Sequence, residues 1–158
     1  NTGDAVHSFC HCLPNKWHLM SVMLSASNCL DWICSVTNTS IKNSLANVES
    51  FYAEKEAISN APFFLPYLSG ERTPHNDPHI RGSFHSIKTS TNATNLQYAV
   101  IEGVSFGILD GVNSILKVNS DFENIKLEHD YLSSTENLLK VDTQAESRDR
   151  LSSLQDLQ

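Results

Sequence analysis

Residues 64–75 read Phe64-Leu65-Pro66-Tyr67-Leu68-Ser69-Gly70-Glu71-Arg72-Thr73-Pro74-His75, which puts a carboxylate, a guanidinium, hydroxyls and an imidazole on one turn-rich stretch. An apolar strand end meets a Ser-Gly turn, then a Glu-Arg pair, then a proline that stiffens the exit. Arg81 and Gly82 follow six residues after His75. Glu71, Arg72 and Arg81 could organise the mouth of a cleft, because the planar arginine fork suits loop carbonyls or an anion. Ion pairing within the loop is the competing reading. None of these residues is placed to act as a general base.

Histidine and cysteine invite a second chemistry. His7, Cys10, His11, Cys12 and His18 crowd the first twenty residues, while His75, His79 and His85 flank the loop. On an extended strand, positions 7 and 11 face away from 10 and 12, so the ligands do not converge and no metal site is expected. The four cysteines, at 10, 12, 29 and 34, lack the paired spacing of a structural zinc knuckle. Buried, reduced thiols are expected instead, and with them a cytoplasmic location.

Charge narrows the classes further. The net charge is -7, with nine acids against seven bases in residues 1–118 and nine against four in 119–158. Neither part offers a basic stripe, so nucleic acid is not an expected partner. No run of about 18 uncharged apolar residues is present, so no membrane span is expected. The chain has no initiator Met and no basic stretch leading into an apolar one; a start at Asn1 within a strand-bearing segment is what a fragment of a longer chain would show.

The elements that must position these residues follow from period and punctuation. Residues 6–12 alternate, Pro14-Asn15-Lys16 turns the chain, and residues 17–24 return, which predicts a β-hairpin. Ser25 or Ser27 caps a predicted helix to about Val36, and a weaker helical stretch covers residues 41–56. Ala61-Pro62 breaks it, and residues 63–67 and 81–87 read as strands around a loop. Thr94 and Gln97 have capping-box spacing ahead of a long helix to about Val118. Gly103, Gly107 and Gly111 recur along that helix every fourth residue. Each costs about 1 kcal/mol against Ala, so a close backbone neighbour is expected there. Trp17, Phe63, Phe64 and Phe106 read as core. Residues 122–127 could form a strand, and 130–158 read as disordered or weakly helical.

The loop, the hairpin and the segment Tyr98-Ala99-Val100-Ile101-Glu102-Gly103-Val104 together resemble the C-terminal domain of the FGGY family of carbohydrate kinases, over roughly residues 5–127. The family's second signature is met by Gly82, Phe84 and Ile87, then by Asn95, Leu96, Ala99, Val100, Ile101 and Glu102. It departs at Ser86, where the pattern has Gly, a substitution that would disturb a positive-φ backbone.

The resemblance implies an α/β fold, part of an actin-like or ribonuclease-H-like ATPase domain that is incomplete at both ends. On this reading residues 1–127 are the partial kinase domain and 128–158 a divergent tail. It further implies Mg-ATP as phosphoryl donor and a pentulose, D-xylulose, as acceptor at its C5 hydroxyl, with another FGGY sugar kinase or a non-catalytic relic as alternatives. Ser27 and Asp31 stand where related kinases place helix-start residues facing the nucleotide; capping and a solvated helix face are the competing explanation. Ser69, Gly70, Glu71, Arg72, Thr73, Pro74, Arg81 and Gly82 form the signature loop. The family's catalytic aspartate and phosphate-cradling turn are expected upstream of Asn1, so the expected partners are an N-terminal domain and, in a homodimer, a second copy. An exposed glycine stripe would dock against that absent half.

Overall fold

The computed structural model describes residues 5–53, 58 and 60–118. Its elements are β1 (His7–Cys10), β2 (Trp17–Met20), α1 (Ser27–Val36), α2 (Ile41–Tyr52), β3 (Phe63–Leu65), β4 (Ser83–His85) and α3 (Ala93–Val118). The expected tail, including the strand read at 122–127, lies outside the described residues, as do residues 54–56 at the end of the second helical stretch.

Two antiparallel pairs make up the strands. β1 pairs with β2 in the register Phe9 to His18 and Cys10 to Trp17, and β3 pairs with β4 with Phe64 opposite Phe84. Both strands of the second pair are shorter than their sequence pattern, because the loop departs from pairing at Pro66 and Ser86 turns the chain with φ of 61°.

Helix α3 organises the rest, packing against β3, α1 and α2. One core joins Cys29 and Ile33 of α1 to Phe64 of β3 and to Ala99 and Val100 of α3. Trp32 stacks on Phe64 at 5.8 Å, and Phe84 tilts against the same ring at 4.7 Å. A second cluster gathers Val48, Ala61 and Tyr98, with Phe51, Ile58 and Ile101 against it. Because α1 meets both α2 and α3, Cys29 and Cys34 are both buried although they lie on different sides of the helix.

The glycine stripe is filled within the chain, which corrects the expectation of an exposed docking stripe. A Cβ at Gly103 would collide with the backbone carbonyl of Phe64; at Gly107 it would come within 2.7 Å of Met23, and at Gly111 within 2.8 Å of Ser21. Helix α3 is long and apolar enough by length and composition to cross a membrane, with a mean hydropathy of 1.4 over its most apolar window. Here it packs as a core helix between β3, α1 and α2.

Three further expectations are corrected. The helix-start box is formed by Asn92 and Asn95, whose side-chain oxygens accept from each other's backbone N–H at 3.0 and 2.8 Å. Gln97 is buried and donates to Thr37 instead. Trp17 is 66 % exposed, and Cys10 and Cys12 lie at the surface, so the hairpin tip is not core.

Candidate functional site

The signature loop folds back on itself before it reaches anything else. Gly70 has φ of 81° and its Cα lies against the backbone of Pro78, where a Cβ would come within 2.8 Å of the carbonyl oxygen; both conditions call for glycine. Glu71 and Asp77 exchange backbone hydrogen bonds at 2.9 Å. Arg81 Nη1 donates to the carbonyls of Pro78 and Ile80 at 2.7 Å, the carbonyl-bridging role open to a guanidinium. Gly82 passes under Leu68 and the Leu65 carbonyl. Ser69 and Arg72 are exposed, and the Thr73–Pro74 peptide is cis.

Two polar side chains of the loop are nevertheless interior, Glu71 at 3 % exposure and Thr73 at 4 %. Glu71 Oε1 accepts from the backbone N–H of Leu24 at 2.9 Å and of Arg72 at 2.7 Å. Thr73 accepts at Oγ1 from Val22 N–H, donates from Oγ1 to Ala5, and donates its own N–H to the Val22 carbonyl. The expected ion pairing gives way to hydrogen bonds between side chain and backbone. Burial raises the Glu71 carboxyl above its ordinary value, against the pull of these N–H donors and of His75. Asp110 on α3 is raised by burial too, with His75 and Lys117 opposing. His75 meets Tyr67 Oη at 2.9 Å through Nε2, with the rings edge to face. Cys29 is buried at 0 % exposure, its thiol pushed up to about 12 by desolvation and by Glu71, so it is inert as a nucleophile.

Ser27 and Asp31 lie elsewhere. One helical turn apart, they are both exposed on the first half of α1. Ala26 occupies the N-cap and no side chain caps the helix, so Ser27 is not the cap that the sequence offered it as. Asp31 joins Cys34, Ser35, Asn38, Thr39, Ser40 and Ile41 around an open groove of about 480 Å³ where α1 hands over to α2; Ser27 is not in its wall. Asn38 turns there with φ of 51°, and Ser40 caps α2 by accepting from Asn43 N–H at 3.2 Å. The short polar run at 37–40 lies between the two helical patterns and carries no catalytic motif. Its density of hydroxyls and an amide beside a carboxylate was the available signal for a polar groove.

The structure thus separates the candidates into two sets: the loop clasps backbone, and the α1–α2 corner offers hydroxyl, amide and carboxylate groups to solvent. A carboxylate and small hydroxyls at the rim of such a groove suit the hydroxyls and edge donors of a nucleoside. In the hairpin, His11 Nδ1 accepts from Leu13 N–H at 3.0 Å with Cys12 Sγ 3.5 Å away, and the His18 ring stacks on Phe9 and meets the His11 ring edge-on at 6.1 Å.

Comparison with known proteins places this arrangement. The C-terminal domain of the FGGY family of carbohydrate kinases matches residues 2–128. The xylulose kinase of Escherichia coli is 46% identical over 115 residues, covering 71% of this chain and 22% of that protein. That of Staphylococcus xylosus is 37% identical over 123 residues, covering 76% and 24%. Among solved structures, the xyloylose kinase of Brucella ovis superposes with a TM-score of 0.62 at 36% identity, over 73% of this chain and 23% of that one. The gluconate kinase of Lactobacillus acidophilus gives 0.58 at 25%, over 70% and 22%. The chain therefore spans less than a quarter of the length of the xylulose kinases it matches. Its fold is part of the actin-like, ribonuclease-H-like ATPase domain, and the chain belongs to the FGGY family of carbohydrate kinases through the family's C-terminal domain.

Proposed function

We propose that residues 1–127 form the nucleotide-facing part of a xylulokinase, and that 128–158 are a divergent tail. The whole enzyme would transfer the γ-phosphoryl group of Mg-ATP to the C5 hydroxyl of D-xylulose in the cytoplasm. The observation that carries this reading is Asp31 in the wall of the polar groove between α1 and α2, in a chain whose relatives at 37–46% identity are xylulose kinases. Asp31 and Ser27 offer an acceptor and a hydroxyl to the nucleoside end of ATP. Magnesium supplies charge neutralisation at the phosphates during transfer. The general base toward the sugar hydroxyl, the grip on the sugar and the magnesium ligands belong to the rest of the enzyme, which makes an N-terminal domain the obligatory partner; assembly of the enzyme as a homodimer is part of the same proposal.

The test is co-expression of this chain with the N-terminal region of a xylulose kinase. ADP release that depends on D-xylulose, and not on gluconate or ribulose, is the expected result. An Asp31→Ala chain in the same assay should raise KM for ATP about tenfold and leave KM for the sugar unchanged. Release that follows gluconate or ribulose would reassign the sugar. No turnover with any of the three sugars, from partners that demonstrably associate, would leave a kinase relic without activity.

A further inference from the structure

The loop and the groove are physically linked, and the link runs through the backbone of residues 21–26. This stretch leaves β2, carries no regular secondary structure, and ends where α1 begins with Ser27. Its two sides are held differently. On one side lies the glycine stripe of α3, with Met23 over Gly107 and Ser21 over Gly111. On the other, Thr73 closes a two-bond ring with Val22: its N–H donates to the Val22 carbonyl and its Oγ1 accepts from the Val22 N–H, both at 3.0 Å. Glu71 takes the Leu24 N–H at 2.9 Å. The clasp spans 47 to 51 residues of sequence, and both of its side chains are interior. Just beyond it, the Cys29 thiol donates to Ser25 within the chain turn and faces the Pro66 carbonyl at 3.7 Å, tying the first turn of α1 to the strand end that launches the loop.

From this we infer that Glu71 and Thr73 are positioning residues: by gripping the backbone at Val22 and Leu24 they set where α1 starts, and so where Ser27 stands at its head and Asp31 in the wall of the groove. The inference concerns the placement of α1; its meaning for phosphoryl transfer rests on the nucleotide reading above. These N–H groups are part-buried, so one that loses its acceptor must turn towards solvent to find another, and the irregular stretch must either keep the clasp or move. A residue that met substrate directly would need its polar atoms open to the cleft. Glu71 and Thr73 are turned inward, and Arg72 between them is the exposed member of the trio.

The experiment is residue-resolved amide hydrogen exchange on the full chain, with Thr73→Val and Glu71→Met as breaking variants and Thr73→Ser and Glu71→Gln as conservative ones. Expected is at least tenfold faster exchange at Val22, Leu24 and Asp31 in the breaking variants, unchanged exchange at Val48 in α2, and near-native rates at every one of these sites in the conservative pair. Unchanged exchange at Asp31 in the breaking variants would overturn the inference. So would a uniform acceleration that includes Val48, which is what general destabilisation produces. A separate titration of the wild-type chain with Mg-ADP, read at Ser27 and Asp31, addresses the nucleotide reading alone. Its failure alongside a positive exchange result would remove the nucleotide and leave the clasp.

Discussion

Residues 7–18 carry His7, Cys10, His11, Cys12, Trp17 and His18, and residues 67–81 carry Tyr67, Glu71, Arg72, Thr73, His75 and Arg81. By side-chain chemistry alone the two stretches are equally suggestive. The fold treats them oppositely. In the loop, Glu71, Thr73 and Tyr67 are interior and each is hydrogen-bonded; in the hairpin, Phe9, Cys10, Cys12 and Trp17 all face solvent. The difference is the supply of partners. The loop lies against an irregular stretch whose N–H groups need acceptors, so an interior carboxylate and hydroxyl are compensated there. The hairpin strands pair with each other, and the side-chain acceptor that its backbone uses, His11 Nδ1 for Leu13 N–H, is local and exposed. Reactive residue types mark a site only where the fold leaves them facing one another or a cavity. Here that condition falls on the plainer residues of the α1–α2 corner.

The largest expected break in this contrast is at the centre of the loop side. Gly103→Ala should destabilise the chain by about 2 kcal/mol, because the new methyl meets the Phe64 backbone carbonyl rather than a side chain that can swing away. Helix propensity alone favours Ala by about 1 kcal/mol, so the sign of the measured change decides between the two effects. Urea denaturation of the two proteins gives it directly. A more stable variant would mean that α3 and β3 are not in backbone contact.

The helix extents and the glycine stripe could be read from the chain, and this prediction follows from that reading. Period fixed α1 almost to the residue, and the fourfold glycine spacing signalled a close neighbour before one was visible. What could not be read is what depends on partners far away in sequence. Thr94 with Gln97 and Asn92 with Asn95 have the same spacing; the second pair caps because Gln97 is drawn inward to Thr37, 60 residues distant. Glu71 looked like half of an ion pair because its neighbour is Arg72, whereas its acceptor oxygen serves Leu24, 47 residues away. Asp31 could be reached only by resemblance, since the groove beside it exists only once α1 and α2 are placed against each other.

A smaller effect, of opposite sign, is expected at the exit of β4. Ser86 has φ of 61°, a left-handed conformation that costs a residue with a Cβ about 1 kcal/mol. Ser86→Gly should therefore raise stability by up to about 1 kcal/mol in the same denaturation series. On the hairpin side, Asn15 has φ of 58°, and asparagine tolerates that region, so Asn15→Gly should gain less. Equal gains at both sites would remove the distinction between them.

The carboxylates of the loop side predict a tilt with pH. Burial raises Glu71 above its ordinary value of 4.5 and Asp110 above 3.8. The folded chain therefore holds protons that the unfolded chain has already released. These two groups make folding less favourable as pH rises through their folded values towards neutral, and more favourable as pH falls back towards the ordinary carboxylate range. Glu71→Gln removes one of them while keeping an oxygen for Leu24 N–H. The stability difference between wild type and this variant should shift in favour of wild type as pH is lowered from 7 towards 4.5. A shift the other way would mean that the N–H donors and His75 outweigh desolvation.

The smallest effect belongs to the most conspicuous hydrophobic residue. Trp17→Ala should change stability by no more than about 0.5 kcal/mol, the range for surface positions, although truncating a buried tryptophan costs about 3–5 kcal/mol. The chain has two tryptophans, and the other, Trp32, is half-buried, stacked on both Phe64 and Phe84 against the main core. The variant consequently carries its own reporter: with Trp17 gone, all tryptophan emission comes from the core, and its unfolding curve should overlay the wild-type midpoint. Separate midpoints, lower by more than about 1 kcal/mol in the variant, would mean that the hairpin tip is covered in solution. The contrast between the two stretches would then be one of which partner covers them, not of whether they are covered at all.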